Sequence, residues 1–408
     1  MPFELTPAEE MVRKITREYA EREIVPRRKE LMTDDREIWD EQAVRQLKAG
    51  HHLHIIPREE GGTGIGFVAS CIACEELCAA WPDLTFVPYG EFAYYFAKAT
   101  GGVVYDKFMP GIISGDIQAT PAITEPSGGS DMLGLQSTAK KVDGGWVLNG
   151  RKCFVGEGHY SDFVMALFKT GDPNDPKTPG ARSLTAFIVE KGMDGFRIGR
   201  QENTLMRKND ITEFIFDNVF VPDSHVVGGE RGIGRGLAPV FSAVGDIGRM
   251  TICGILNGAT LGCYRTAVQY ARERKLYGRP ISELQAIQTR IAQMATDLQA
   301  TRALTYRAAW MRTRNIRCDA EQATAKIFAE LAATRATTHC VKIHGAYGVL
   351  EDYMPHHYYK HTPMRFGAGG TEESLNIMIA TAAIRDDANP DLSSKSMEQA
   401  GWWGQLDW

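Results

Sequence analysis

The sequence predicts a multidomain α+β protein in which a helical segment, a β-rich segment and a second helical segment follow one another. A chain of 408 residues is too long for one simple core. Apolar residues recur at helical spacing up to about residue 117, and short β-type runs separated by turn residues then replace them. Helical spacing returns near Gly229. We expect domains over residues 1–117, 118–228 and 229–385, with a tail over 386–408.

The first segment opens with a well-marked helix start. In TPAEEMVRKITREYAEREIVP, Thr6 and Glu9 form a capping-box pattern, and Pro7 stands at the first helical position. A second helical stretch, FVASCIACEELCAAW, lies further along. This N-terminal segment is therefore predicted to be helical throughout.

The middle segment reads as a β domain. Its β-type runs are GWVLNGRKCFVG, DFVMALFKTG, SLTAFIVEKG and ITEFIFDNVFVP. Gly, Pro and Asp-Pro turns separate them. The stretch TGDPNDPKTPGARS is predicted to be a loop or hairpin tip within this domain.

The third segment predicts long antiparallel helices. In AIQTRIAQMATDLQATRALTYRAAW, Ile287, Ile291, Met294 and Leu298 share one face. The run from there to Cys340 is almost free of Gly and Pro. The final tail is polar but carries three tryptophans, so we expect it to dock on its own or a partner subunit: Trp402, Trp403 and Trp408.

Composition excludes several classes of function. The net charge of −5 offers no global attraction to nucleic acid or to an anionic membrane. No apolar run approaches the roughly 20 residues that span a bilayer. The N-terminal sequence has no basic region followed by an apolar core, so no signal peptide is visible. We expect a cytoplasmic protein with no membrane insertion.

Cysteine and histidine clusters do not predict a metal site. Cys71, Cys74 and Cys78 are one helical turn apart, and they read best as small apolar residues on a helix face. The clusters HHLH and HHYYKH lack metal-binding spacing and a nearby cysteine pair. We expect their histidines at the surface or at an interface, and no bound metal.

Four ordered motifs resemble the acyl-CoA dehydrogenase family. They are AITEPSGGSD from Ala122, GERGIGRGLAPVFSAV from Gly229, YARERKLYGRPISELQAIQ from Tyr270 and VKIHGAYGVLEDYMPHHYYKH from Val341. The resemblance covers nearly the whole chain. It implies an N-terminal all-α domain, a middle β-barrel-like (orthogonal) β domain and a C-terminal four-helix-bundle domain. It also implies FAD, an acyl-CoA substrate, an electron-transfer flavoprotein or similar acceptor, and a homotetramer.

The resemblance also implies which residues would contact FAD and substrate. Arg274 and Tyr277 would reach the FAD of a neighbouring subunit. Three positions depart from the family: Gly156 replaces a usual Thr near the flavin's reactive N5, Lys342 a usual Gln, and Ala346 a usual Gly. The implied FAD positions are Ile123, Thr124, Gly129, Ser130, Phe154, Gly156, Arg274, Tyr277, Gln285, Lys342, Gly345, Ala346, Thr371 and Glu373. The implied substrate positions are Ser130, Tyr89, Phe92, Asp246, Arg249 and Gly370.

The glutamate that deprotonates the substrate in this family is absent. In RFGAGGTEESL the matching residue is Gly369, which keeps a backbone N–H for the thioester carbonyl but offers no carboxylate. Some relatives place the glutamate on the first helix of the C-terminal domain, where this chain has Gly248. Because α-proton removal needs a positioned base, another acid must replace it in a dehydrogenase.

Glu91 is our preferred candidate for the base. It is the only acid between Asp83 and Asp106, in a segment that lines the acyl pocket by resemblance. Its aromatic-rich setting would raise a carboxyl pKa towards neutrality. Pro88 and Gly90 predict a disturbed helix there. The other candidate acids are Asp246, Glu157, Glu372 and Glu373.

The two glycines at the usual glutamate positions leave space beside the expected flavin, and the small side chain of Ala368 adds to it. This space favours a cyclic or bulky acyl group. Three alternatives stay open: a lyase that needs no α-proton base, a non-catalytic flavoprotein subunit, and an enoyl-CoA reductase. The lyase would need a cation for its anionic group, and Lys98 is the only cation of the stretch 77–100.

Overall fold

The computed structural model describes residues 4–33, 35–82, 84–172, 174–205 and 211–385, so the three tail tryptophans lie outside the described residues. The order of helices, sheet and helices is confirmed. The α-helices are α1 (Pro7–Tyr19), α2 (Arg28–Leu31), α3 (Arg36–Lys48), α4 (Phe67–Ala80), α5 (Val87–Thr100), α6 (Gly102–Ser114), α7 (Leu237–Ser242), α8 (Met250–Glu273), α9 (Gln285–Thr313), α10 (Asp319–His344), α11 (Met354–His361) and α12 (Glu372–Arg385).

The strands form one large sheet and one small hairpin. They are β1 (Ala119–Ala122), β2 (Thr138–Val142), β3 (Gly145–Gly156), β4 (Phe163–Lys169), β5 (Leu184–Glu190), β6 (Phe196–Glu202), β7 (Ile211–Pro222), β8 (Lys275–Leu276) and β9 (Arg279–Pro280). The large sheet runs β1-β4-β2-β3-β7-β6, and β5 pairs with β4. The four β-type runs quoted above are β3, β4, β5 and β7.

The described residues form two compact units. The helical unit comprises residues 4–42, 63–85 and 248–385, and the sheet unit comprises residues 43–62 and 86–247. Helices α5 and α6 therefore belong with the sheet, although the sequence groups them with the N-terminal helices.

The sheet unit is built around antiparallel pairs. Strands β2 and β3 form a hairpin, β3 pairs with β7 in register Trp146 to Val221, and β4 pairs with β5. Strand β1 is parallel to β4. The pairing of β3 with β7 shifts between Lys152 and Val155, so the end of β3 leaves the regular ladder. The core cluster contains Trp146, Phe187 and Phe214.

The helical unit brings α4 very close to α8. A Cβ on Gly254 would lie 2.8 Å from the Cβ of Cys74, and one on Gly258 would lie 2.8 Å from the Cβ of Cys78. Cys71, Cys74 and Cys78 are all fully buried. Small residues on both helices thus allow the close approach, which is the packing role predicted for the cysteines.

Buried ion pairs join further helices to α4. Glu75 accepts a hydrogen bond from Tyr306 Oη at 2.8 Å and pairs with Arg302, both on α9. Glu76 pairs with Arg17 of α1 at 2.7 Å and with Arg265 of α8 at 3.2 Å. Because removing one partner of a buried pair leaves an uncompensated charge, these contacts fix the helix arrangement.

The predicted disturbance of the helix around Glu91 is wrong. Pro88 lies in the first turn of α5, where its missing N–H costs nothing, and Gly90 continues the helix. Gly90 is required by packing instead. A Cβ there would lie 2.6 Å from the ring of His52, whose Nε2 lies 2.8 Å from the carbonyl oxygen of Ile112.

The surface position expected for the histidine clusters is also wrong. His51, His52, His54, His357 and His361 are all buried. Burial lowers the pKa of His51 to about 3 and that of His54 to about 4, helped in both cases by neighbouring histidines. The rings of His51 and His54 are therefore neutral at neutral pH.

One helical stretch in the described part of the chain, Leu237–Glu273, is long and apolar enough to cross a membrane by length and composition. Its apolar window is 72% buried inside the protein. Burial of this kind identifies a core helix.

The buried histidines predict a loss of stability in mild acid. A folded pKa below the ordinary 6.5 means that the unfolded state binds the proton first, so stability is lost as pH falls below 6.5. At about pH 5 each such group should cost about 2 kcal/mol. Urea unfolding of the protein and of His51→Gln between pH 6.5 and about pH 5 tests this. The free energy of unfolding of the variant should fall less steeply as the pH is lowered. Equal slopes would contradict it.

Candidate active site

The loop that carries AITEPSGGSD is held by a buried ion pair in the sheet unit. Lys152 of β3 donates to Glu125 Oε1 at 2.7 Å and to the carbonyl oxygen of Ile123 at 3.3 Å. Glu125 also accepts from the backbone N–H groups of Gln136 at 2.6 Å and Ser137 at 3.1 Å. Lys152 is completely buried and Glu125 is 3% exposed. The ion pair and these hydrogen bonds therefore hold the predicted flavin loop in place.

Both charges of this pair persist at neutral pH. Burial opposes ionisation of Glu125, but the Lys152 charge and the donated hydrogen bonds outweigh it and lower the carboxyl pKa. Burial lowers the pKa of Lys152 to about 8 despite the attraction of Glu125. Sequence reasoning missed the pair. The signal was present, since Lys152 falls at an inward position of the alternation that buries Trp146 and Leu148.

The predicted loop residues have room for a close ligand. Gly128 has φ +153°, and a Cβ there would meet no atom of the described residues within 4 Å. A Cβ on Gly129 would lie 3.2 Å from Thr124, which limits that position to a small residue. Ile123 and Ser130 belong to the same loop, and Ser130 is exposed.

The end of β3 has an unusual backbone. Phe154 and Glu157 both have left-handed φ values, of 55° and 53°, and neither is glycine. Such strain typically marks ligand sites. The ring of Phe154 is 69% exposed. A Cβ on Gly156, which lies between them, would be 3.2 Å from the hydroxyl oxygen of Tyr89.

Helix α5 presents two different faces. Tyr89, Phe92 and Phe96 share one face, with ring centroids 6.4 Å and 5.7 Å apart. Glu91 is completely buried. Because a helix turns roughly 100° per residue, Glu91 leaves α5 on the side nearly opposite Tyr89. The structure thus brings Tyr89 to Gly156 and places the candidate base on another buried face.

In the helical unit, the loop that should carry the glutamate is held by two cations. Arg249 Nε donates to the carbonyl oxygen of Gly369 at 2.8 Å. Lys326 Nζ donates to the carbonyl oxygens of Phe366 at 3.1 Å and Gly370 at 2.8 Å. Gly369 has φ +72°, and a Cβ there would lie 3.2 Å from Arg249 Cγ. The loop is therefore fixed in a shape that favours glycine.

Sequence reasoning also missed Lys326. It is completely buried on α10 and forms an ion pair with Glu330 at 2.6 Å. Burial raises the pKa of Glu330, although Lys326 opposes the shift. A lysine within the small-residue stripe of Ala323, Ala329 and Ala333 was the available signal, because such a lysine needs buried acceptors.

The remaining predicted FAD positions of the helical unit lie at its surface. Tyr277, in the turn of the β8–β9 hairpin, is 90% exposed, and the Arg274 guanidinium lies 5.9 Å from the ring centre of Tyr347. Gly345 has φ +62°, and in the part of the chain that the structure describes a Cβ there would have no neighbour within 4 Å. Thr371 is half-buried, whereas the other positions are exposed: Gln285, Lys342, Ala346 and Glu373.

The alternative acids occupy different settings. Asp246 is half-buried in the π-helical turn Ala243–Arg249. Glu157 is 5% exposed. Glu372 and Glu373 are exposed in the first turn of α12, and hydrogen bonds from the backbone and Thr371 lower the pKa of Glu373. Within the described residues, no group of three or more His, Cys, Asp or Glu could hold a metal ion.

Three family models match the chain in order. "Acyl-CoA dehydrogenase, N-terminal domain" matches residues 6–116, "Acyl-CoA dehydrogenase, middle domain" matches 120–219, and "Acyl-CoA dehydrogenase, C-terminal domain" matches 234–384. Together they span most of the chain, so the likeness is not confined to one domain.

Individual relatives agree over their full length. An acyl-CoA dehydrogenase of Bacillus subtilis is 31% identical, covering 92% of this chain and 98% of that protein. Benzylmalonyl-CoA dehydrogenase of Aromatoleum aromaticum is 29% identical, covering 93% and 99%. The structure of glutaryl-coenzyme A dehydrogenase with glutaryl-CoA matches with a TM-score of 0.86 at 27% identity, covering 94% and 97%.

The fold and these matches define the class of protein as a FAD-dependent oxidoreductase. The chain belongs to the acyl-CoA dehydrogenase family. The fold class predicted from the sequence is confirmed. The sheet unit fits the FAD of this family, because the open backbone at Gly128 and the exposed Phe154 leave space and an aromatic surface for a large planar group among the described residues.

The Lys152–Glu125 pair predicts an asymmetric mutational effect. Lys152→Met should destabilise the protein by about 3–5 kcal/mol, because Glu125 is left buried and unpaired. The double variant Glu125→Gln/Lys152→Met should recover part of the loss, since glutamine keeps an oxygen for the Gln136 and Ser137 amides. Urea unfolding measures both. A double variant less stable than Lys152→Met would contradict this prediction.

Proposed function

We propose that this protein oxidises a cyclic or bulky acyl-CoA thioester between its α- and β-carbons with a base outside the glycine loop. Glu91, although it leaves α5 on the side away from Gly156, is the acid that we assign to this role. The observation that supports this most strongly is a completely buried carboxylate in an aromatic segment, in a chain whose two usual glutamate positions are both glycine. Buried carboxyl groups are common among catalytic acids and bases.

The reaction divides between the protein and its cofactor. Glu91 takes the α-proton, and the electron pair of that C–H bond becomes part of the new α,β double bond. Bound FAD supplies the acceptor for the hydride that leaves the β-carbon. The Gly369 N–H donates to the thioester carbonyl and acidifies the α-proton. The proposed partners are an electron-transfer flavoprotein or similar acceptor and further copies of this chain, in a cytoplasmic homotetramer.

The shape of the glycine loop supports a base outside it. A glutamate at position 369 would need a left-handed backbone, which costs a residue with a side chain roughly 1–2 kcal/mol. Its Cβ would also lie 3.2 Å from both Arg249 Cγ and Ile252 Cδ1. These neighbours fill space that the sequence alone suggested was vacated, and Ala368 packs against the apolar cluster of Ile252 and Leu256.

The preference for a ring-shaped acyl group therefore rests on α5. The rings of Phe92 and Phe96 stack with an interplanar angle of 11°, beside Tyr89. Flat aromatic surfaces match the faces of a ring better than a straight acyl chain. One relative, benzylmalonyl-CoA dehydrogenase, is named for an aromatic acyl-CoA.

The cation that the lyase alternative needs is already paired with an acid. Lys98 donates to Glu60 Oε1 at 2.7 Å, and Glu60 also accepts from the hydroxyl of Tyr105. This lysine is held within a polar cluster of the sheet unit. Release of sulfite or CO2 from the thioester without an electron acceptor would restore that reading.

Exchange of the substrate α-proton tests Glu91 separately from hydride transfer. In D2O the protein should exchange the α-hydrogen of a cyclic acyl-CoA, and Glu91→Gln should slow both exchange and flavin reduction by about 10²–10⁴-fold. FAD content should not change. Mass spectrometry and flavin bleaching give the two rates.

Glu372→Gln is the matched control for the Glu91 variant. It removes an exposed acid beside the glycine loop and should leave α-proton exchange unaltered. Undiminished exchange in Glu91→Gln would refute the assignment of the base. A panel of straight, branched and alicyclic acyl-CoAs decides the acyl group, and we expect the fastest reduction with a ring.

Returning the glutamate to its usual position should not repair the enzyme. Gly369→Glu, placed in the Glu91→Gln background, should leave flavin reduction low, because the loop cannot present the side chain without strain. Gly369→Ala measures the cost of the left-handed backbone and of the Cβ contacts without a carboxylate, and it should lower stability by about 1–2 kcal/mol. Recovery of activity with unaltered stability would show that the loop tolerates a side chain.

A further inference from the structure

The hydroxyl of Tyr89 lies where a side chain at position 156 would begin. Among the described residues, a Cβ built on Gly156 has one neighbour within 4 Å besides the adjoining residues, the Tyr89 oxygen, at 3.2 Å. That distance is tight for a Cβ contact. A side chain at 156 and the phenol at 89 therefore compete for one space, and the two residues form a matched pair.

The backbone around Gly156 is fixed. The left-handed residues Phe154 and Glu157 flank it, and each costs roughly 1 kcal/mol or more unless the surrounding structure enforces it. The Thr120 hydroxyl donates to the Gly156 carbonyl oxygen at 3.1 Å. Any ligand that packs on Phe154 would therefore meet position 156 at a defined place.

The phenol of Tyr89 is also held in place. Its ring centre lies 6.3 Å from that of Phe86 and 6.4 Å from that of Phe92. The ring centre of Phe86 in turn lies 5.7 Å from that of Tyr160, with the two rings edge to face. An aromatic frame of this kind presents a hydroxyl with few rotamers to lose.

We infer that the Tyr89 hydroxyl makes the hydrogen bond to the reactive edge of the flavin that a hydroxyl side chain at position 156 would otherwise make. This inference rests on the proposed function and on the flavin position beside Gly156 that the family resemblance implies. A phenol both donates and accepts, as a threonine or serine hydroxyl does, so the exchange conserves the chemistry. It transfers control of the flavin from the strand to the helix that carries Glu91.

Removing this hydroxyl should alter the flavin without releasing it. Tyr89→Phe should bind FAD to the same stoichiometry, with a shifted visible absorption band and a changed midpoint potential. Reduction by substrate should slow by about tenfold, the effect of losing one hydrogen bond of about 1.4 kcal/mol. Spectroscopy and redox titration of the purified flavoprotein report the first two effects without any turnover.

Variants at position 156 provide the decisive comparison. Gly156→Ser should impair the wild-type protein, because its Cβ crowds the Tyr89 oxygen. In the Tyr89→Phe background, Gly156→Ser should return the flavin absorption band and midpoint potential towards their wild-type values. Gly156→Ala in that background is the matched control and should return neither.

The outcomes distinguish this inference from the proposed function. Bound FAD with an unchanged spectrum and potential in Tyr89→Phe would overturn the inference alone. The same effect of Gly156→Ser in the wild-type and Tyr89→Phe backgrounds would also overturn the inference alone. A chain that binds no FAD would overturn the proposed function and this inference together.

Discussion

The left-handed backbone at Gly369 is the constraint on which the chemistry of this chain depends. Arg249 and Lys326 bind carbonyl oxygens along the loop, and the Arg249 stem closes the space beside Gly369. Two buried or nearly buried cations thus stabilise a backbone shape that a residue with a side chain adopts only under strain. The loop keeps an N–H donor and excludes a carboxylate.

Helix α5 carries three consecutive residues with three separate tasks. Tyr89 extends to the end of β3, Gly90 admits the ring of His52, and Glu91 is buried on a further face. Successive residues point roughly 100° apart, so one regular helix can serve all three directions. Its regularity matters for function, because a kink at Gly90 would turn Tyr89 and Glu91 relative to each other.

The fold was predictable because periodicity and turns dominate it, and four strands appeared as quoted runs. Strand β1 was not, because ATPA is too short and contains Pro. The predicted FAD and substrate positions came from resemblance, whereas the contacts of Gly156 and Gly369 depend on packing between segments far apart in sequence. The buried histidines were misjudged because HHLH reads as polar, although a neutral imidazole packs well once burial has lowered its pKa.

In the proposed function, two residues of α5 replace side chains that are absent at two glycines. The position that would carry a hydroxyl is Gly156, and the Tyr89 oxygen lies 3.2 Å from where its Cβ would be. The position that would carry the base is Gly369, and Glu91 is the completely buried acid of the same helix. In the proposed function, Glu91 and Tyr89 would take over the tasks that these two glycines cannot perform. One rigid helix would then carry both groups, and such an element holds reacting groups more accurately than a loop does.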